Sequence, residues 1–220
     1  MRHVTSEHTG LLRMGLEVDA SRLFWTNASS HETSRERRVR AQAEGWYPEF
    51  SDARLRYVLA ELERRFPPAT RKALQAWRPE QQSALVCHWH LQWSDPLYRD
   101  FTSSYLVAAW AMPQQNVGVT DIEGWLFQRG THHDWSPSTR RRLASGLLGA
   151  ATEAGFLTGH GRRRELRTVG VDRTSLSYLR AFLAEQDEAA GEEIFLSGTV
   201  GTTADVRPRS YDLAAFSASF

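Results

Sequence analysis

The sequence predicts an all-α protein, a mainly helical bundle whose C-terminal half carries a small β-wing. Three observations predict it. Apolar residues recur at helical spacing from Glu17 to Met112, with proline and capping residues between the periodic stretches. Beyond Gly118 the order becomes helix, loop, helix, apolar pair, glycine turn and basic strand. At 41% hydrophobic, the 220 residues suffice to bury a core.

In the N-terminal part, Leu55, Val58, Leu59, Leu62 and Phe66 define a helix over 51–66, with Ser51 or Asp52 as its cap. Pro67-Pro68 stops it and allows the next helix, carrying Leu74 and Trp77, to start at once. Pro79 to Trp93 reads as another helix. Asp95-Pro96, a cap followed by a first-turn proline, opens a further one through Phe101, Tyr105, Leu106 and Ala109. Short connections between amphipathic helices describe a bundle.

Pro113 to Gly118 is the predicted boundary, dividing residues 1–113 (helical bundle) from 119–186. Thr120 to Glu123 has the form of a capping box and opens a helix through Trp125 and Phe127. A polar loop, Arg129 to Trp135, leads to a helix begun by Ser136-Pro137 and carrying Leu143, Leu147, Leu148 and Ala151. Gly155 is placed to end it. Phe156-Leu157, a turn over 158–161 and an alternating strand over 164–171 follow, and the whole order is that of a winged-helix-like region. A helix is expected over 172–186. Residues 187–220 read as an acidic linker, then a tail with an extended apolar start at Ile194 and no predictable structure beyond it.

The composition excludes several chemistries. Net charge is +1, and Lys72 is the only lysine. It follows no glycine loop, which rules out a P-loop, and the usual restriction-type nuclease core and Schiff-base enzymes need a lysine too. Cys87 is the single cysteine, so there is no intrachain disulfide and no thiolate zinc cluster, as in a reducing compartment. Gly-x-Ser-x-Gly is missing, and Gly159-x-Gly161 opens no helix as a dinucleotide site would. No reaction centre, cofactor or metal site is therefore predicted. His88 and His90 point apart on a helix, and His132-His133-Asp134 reads as a polar loop rather than a metal site. The eight tryptophans fall mostly on apolar faces and are expected in the core. With no signal peptide and no apolar run near the length of a span, the expectation is a cytoplasmic protein with no membrane contact.

Charge is distributed unevenly. Nine arginines lie between Arg129 and Arg173 against four acids, a local excess of +5. Ser138, Thr139, Arg140, Arg141 and Arg142 occupy the first turns of a helix, where cations oppose the macrodipole and an anionic partner would relieve the cost. Arginine there is suited to guanine edges or phosphate, and the hydroxyls to phosphate. Arg162, Arg163, Arg164 and Arg167 flank the glycine turn. The two clusters predict a double-stranded DNA interface of recognition helix and wing, provided they converge into one strip. The run Arg35 to Arg40 is offset by Glu36, Glu44 and Glu49 and reads as an exposed helix face.

The string Trp135-Ser-Pro-Ser-Thr-Arg-Arg-Arg-Leu-Ala-Ser-Gly-Leu-Leu-Gly-Ala-Ala-Thr-Glu-Ala-Gly-Phe-Leu157 resembles the BrxA family of the BREX bacteriophage-exclusion systems. That family shows Trp-Ser-x-Ser-Thr, a basic position, then a Leu-rich helix ending Glu-Ala-Gly-Leu/Phe-Leu. Leu97-Tyr-Arg-Asp-Phe101, the segment Asp121 to Phe127 and the helix ending Arg64-Arg65-Phe66 are similar to further family segments. The resemblance extends over about residues 5 to 185; the tail beyond Gln186 has no counterpart. It implies a mainly helical protein with winged-helix character that binds double-stranded DNA. The family is non-catalytic and acts in phage defence beside a methyltransferase, an AAA+ ATPase and a phosphatase-like protein. The rival expectation from another class is a protein–protein adaptor that uses the same surface to assemble a defence complex.

Overall fold

A computed structural model describes residues 14–113, 115–129, 135–186, 192–197, 199–201 and 218. It is mostly helical, with a small three-stranded antiparallel sheet.

Helices α1 (Val18–Asn27), α2 (Ser34–Ala43), α3 (Asp52–Arg65) and α4 (Pro68–Trp77) build the N-terminal part. Their ends follow local chemistry. Thr33 and Glu36 form a reciprocal capping box on α2, Ser51 caps α3 through the N–H of Arg54, and Pro68 begins α4. Helix α5 (Ser83–Ser94) starts later than the sequence predicts. Arg78 takes a left-handed conformation (φ 52°) at the end of α4, and 80–82 form a turn.

Helix α5 is buried from Leu85 through Ser94, as suits a helix enclosed on all sides. His88 hydrogen-bonds the Tyr98 hydroxyl (3.0 Å) and packs on Phe156 (ring centroids 4.5 Å). His90 bonds the Tyr178 hydroxyl (2.8 Å) and packs on Phe66 and Phe182 (4.7 and 4.4 Å). One apolar core thus runs through both halves of the chain. All eight tryptophans lie in it or against it, as expected.

Asp95 caps α6 (Pro96–Asp100) by accepting from the N–H of Tyr98 (3.0 Å). The chain continues through a π-helical turn (Phe101–Tyr105) into α7 (Leu106–Trp110). Thr102 and Ser103 hydroxyls donate back to the Tyr98 and Arg99 carbonyls there, which loosens the helical ladder.

Next come β1 (Asn116–Gly118), α8 (Val119–Gln128), α9 (Pro137–Glu153), β2 (Leu157–Thr158) and β3 (Arg163–Leu166). The sheet has the order β1-β3-β2, antiparallel throughout, with Val117 opposite Arg164 and Leu157 opposite Leu166. The predicted boundary segment therefore contains a strand. Gly118 sits in a close β1–β3 crossing, where a Cβ would lie 2.7 Å from the Arg162 carbonyl oxygen. Helix α8 begins at Val119, not at the predicted Thr120 cap: the Asp121 carboxylate accepts from the Gly118 N–H (2.8 Å).

The strand expected over 164–171 is two strands in different sheets. Beyond β3, β4 (Val169–Val171) pairs in parallel with β5 (Thr199–Gly201) from the tail. Between them lie α10 (Arg173–Glu185), capped by Asp172, and α11 (Glu192–Phe195). The extended start expected at Ile194 is thus helical. Phe195 is buried, and its carbonyl accepts from the Trp89 indole N–H (3.0 Å). No helix among the described residues is long and apolar enough to cross a membrane.

Candidate nucleic-acid interface

Helix α9 buries Leu143, Ala144, Leu147, Leu148 and Ala151, which fixes the face its first turns present outward. Ser136 is its cap. The Ser136 Oγ accepts from the Thr139 N–H (3.2 Å) and lies 2.9 Å from both Ser138 Oγ and Thr139 Oγ1. Pro137 occupies the first helical position, where its missing N–H costs nothing. Three hydroxyls therefore gather at the positive end of a 17-residue helix. Ser138 is exposed and Thr139 half-buried.

The three arginines that follow do not behave alike. Arg140 is half-buried: it donates to the Trp135 carbonyl, and its guanidinium lies 5.4 Å over the Phe127 ring. Arg141 and Arg142 are exposed, with no side-chain partner among the described residues. Phe127, at the end of α8, is itself 70% exposed.

At the turn between β2 and β3, Gly159 and Gly161 take positive φ values (95° and 107°) that let the chain reverse. Arg162 and Arg167 are exposed, and neither has a side-chain partner among the described residues. Arg163 is committed to a carboxylate, with its Nη2 3.0 Å from Asp121 Oδ2 and its Nε donating to Asn116. Arg164 turns inward, half-buried, and donates to the Thr152 hydroxyl on α9. Of the seven candidate arginines, then, Arg141, Arg142, Arg162 and Arg167 remain available to a partner.

The two clusters occupy opposite ends of the α8–α9 pair. Arg140 meets the last turn of α8, whereas Arg163 meets its first turn and Arg164 the last turns of α9. Twelve residues from Arg140 to Thr152 span about 18 Å along a helix. The single strip expected from the sequence is instead two basic sites separated along α9. That spacing exceeds the roughly 12 Å width of a major groove.

Other sequence candidates have internal roles. Arg37, in the basic run of α2, is buried rather than exposed and pairs with Glu63. Arg40 pairs with Glu32 and lies over Trp46 (4.7 Å), and the Glu32 carboxyl is lowered chiefly by that Arg40 hydrogen bond. Arg129 pairs with Asp100 (2.7 Å). Burial pushes the Cys87 thiol up to about 12, which makes it an inert thiol. Groups of three or more metal-ligating side chains are absent among the described residues, and His132-His133-Asp134 lies outside them. Asp121 and Phe127 were not anticipated. The one readable signal was a carboxylate three residues after Gly118.

No family model matches the sequence, and no curated protein does. Among solved structures, the chain is similar to the crystal structure of an uncharacterized protein from Magnetospirillum magneticum. The TM-score is 0.67 at 16% identity, over 86% of this chain and 97% of that one. At that identity the likeness bears on the fold alone, a mainly helical chain with a small sheet.

Proposed function

We propose that this protein is a non-catalytic double-stranded DNA-binding accessory protein of a BREX-type phage defence system, holding the duplex mainly by its phosphates. The observation that carries the reading is the pair Arg141 and Arg142: exposed, unpartnered among the described residues, and set on the first turns of α9 beside three hydroxyls. Like charge at that helix end is unfavourable until an anion arrives. The element order from α7 through β3, with the β1-β3-β2 sheet, suits a winged helix with α9 as recognition helix. Arg162 and Arg167 would meet the backbone beyond the groove that receives α9. The family resemblance of 135–157 supports the same reading and supplies the defence context.

The four guanidiniums that have no partner among the described residues predict a salt slope of about −3.6 in log K against log salt, and about a hundredfold loss of affinity between 50 and 200 mM salt. A mobility-shift titration of a random duplex with the Arg141→Glu/Arg142→Glu variant tests the reading. The expected result is loss of binding with an unchanged circular dichroism spectrum. Unaltered binding by that variant rejects it.

One observation favours the adaptor reading. Phe127 presents an exposed ring beside the start of α9, and apolar exposure of that kind suits a protein partner.

A further inference from the structure

We propose that the Phe127 ring, at the corner between α8 and α9, is a stacking platform for one unpaired nucleobase, so that the protein favours DNA carrying a single-stranded gap over intact duplex. The inference deepens the DNA-binding reading and rests on it. Phe127 is the most exposed large apolar side chain among the described residues. Packing within the chain does not account for a ring so placed.

One side of the ring is backed by a cation. Arg140, half-buried and donating to the Trp135 carbonyl, sets its guanidinium 5.4 Å from the ring centroid. The rest of the ring is open to solvent. One turn back, Gly124 leaves room beside it. Residues three apart on a helix are neighbours, and helical side chains lean toward the N-terminus, so Phe127 stands over the turn that holds Gly124. A Cβ at Gly124 would nevertheless meet nothing within 4 Å, the Phe127 ring included. Glycine inside a helix is less favourable than alanine, and no contact among the described residues calls for it here. An open space, walled on one side by the ring, lies on the surface of α8.

The neighbours of the ring select its partner. A protein interface sets an aromatic anchor among other apolar contacts. Among the described residues, no other exposed large apolar side chain lies on α8 or α9. Gln128 beside the ring is exposed and polar, and Glu123 is half-buried. On α9, Arg141 and Arg142 are exposed and unpartnered among the described residues. With Arg140 they set three cations against the one carboxylate of Glu123, so the corner is positive. A lone ring with cations on an adjoining turn has the make-up of a single-strand site, where the ring takes a base and the guanidiniums take phosphate. In an intact duplex the faces of each base are covered by its neighbours, so the base that reaches the ring is an unpaired one.

Fluorescence anisotropy of the full chain with three labelled DNAs tests this: a duplex, the same duplex with a short single-stranded gap, and that gap with its unpaired bases removed as abasic sites. The abasic gap keeps the phosphates and the flexibility but has nothing to stack. The expected result is at least about fivefold tighter binding of the gapped DNA than of either other DNA. Phe127→Ser abolishes that preference and leaves duplex affinity in place. Gly124→Leu covers the ring from one turn back and abolishes it too, while its gain in helix propensity keeps the unfolding midpoint at or above that of wild type. Equal binding of gapped and abasic DNA overturns the proposal, as does a preference that survives in Phe127→Ser. Duplex binding with no gap preference rejects this inference alone. Failure of all three DNAs to bind rejects the DNA-binding reading and this inference with it.

Discussion

Arg163 and Asp121 form an ion pair at 3.0 Å, and the same carboxylate oxygen accepts from the Gly118 N–H at 2.8 Å. One aspartate thus starts α8, orders the β1–α8 corner and holds the β3 residue Arg163 in an ion pair. Arg163 is exposed and Asp121 half-buried, and an ion pair so open to water contributes little to stability.

Asp121→Asn keeps an oxygen to accept from the Gly118 N–H but gives up the charge. On the DNA-binding reading, this variant binds a duplex more tightly than the wild type, by about three- to tenfold at low salt. Its salt slope steepens by about 0.9, the contribution of one more phosphate contact. Mobility shifts across a salt series measure both. A slope equal to wild type would place Arg163 away from the duplex.

Arg164 works in the opposite direction, into the protein, where its guanidinium donates to the Thr152 hydroxyl and ties β3 to the end of α9. Thr152→Val leaves that half-buried charge with the Leu148 carbonyl, at 3.4 Å, as its remaining acceptor. A cost of about 1–3 kcal/mol follows. Arg164→Met, which removes the charge and keeps the volume, is expected to cost less. Urea unfolding of the two variants checks the order of the effects, and the reverse order would show that Arg164 contributes through its charge to something other than Thr152.

The two histidines of α5 set an acid limit on stability. Burial pushes His88 and His90 down to about 3, from an ordinary value of 6.5. Above pH 6.5 neither the folded nor the unfolded chain protonates them. Between pH 6.5 and about 3 the unfolded chain takes up protons that the folded one refuses, so stability falls as pH falls through that window. Each histidine contributes up to roughly 1.4 kcal/mol per pH unit there. Chemical denaturation at several pH values should show the decline, and His88→Asn, which retains a partner for Tyr98, should reduce its slope by about half, leaving the part due to His90. A stability independent of pH between 6.5 and 5 would contradict the buried neutral pair.

What the sequence discloses depends on how local the cause is. Ser51, Pro68, Asp95, Ser136, Gly155 and Asp172 act on their own or adjacent turns, and the helix ends they set are readable from a few neighbours. Strand β1 is three residues long, and its partner lies more than forty residues away, so nothing nearby marks it. The division between β3 and β4 has the same origin, since β4 pairs with a tail strand. Among the arginines, sequence locates the clusters but not their partners: Arg141 and Arg163 look alike until Asp121 is placed beside one of them.

Phe127 separates the two functional readings. Its ring is 70% exposed, so Phe127→Ser removes little buried surface and is expected to change stability by less than about 0.5 kcal/mol. Arg140 loses the ring beneath it but keeps the Trp135 carbonyl, and Arg141 and Arg142 are untouched. If phosphate contacts dominate, the variant binds a duplex within about threefold of wild type, with the same salt slope. If α9 instead docks a protein, the ring is a central apolar contact, whose loss costs 2 kcal/mol or more, about thirtyfold in affinity. Copurification with partner proteins that survives nuclease treatment reads the second case. Lost copurification with intact DNA binding assigns Phe127 to a protein surface. Lost DNA binding in a folded variant would bring the ring into the duplex interface.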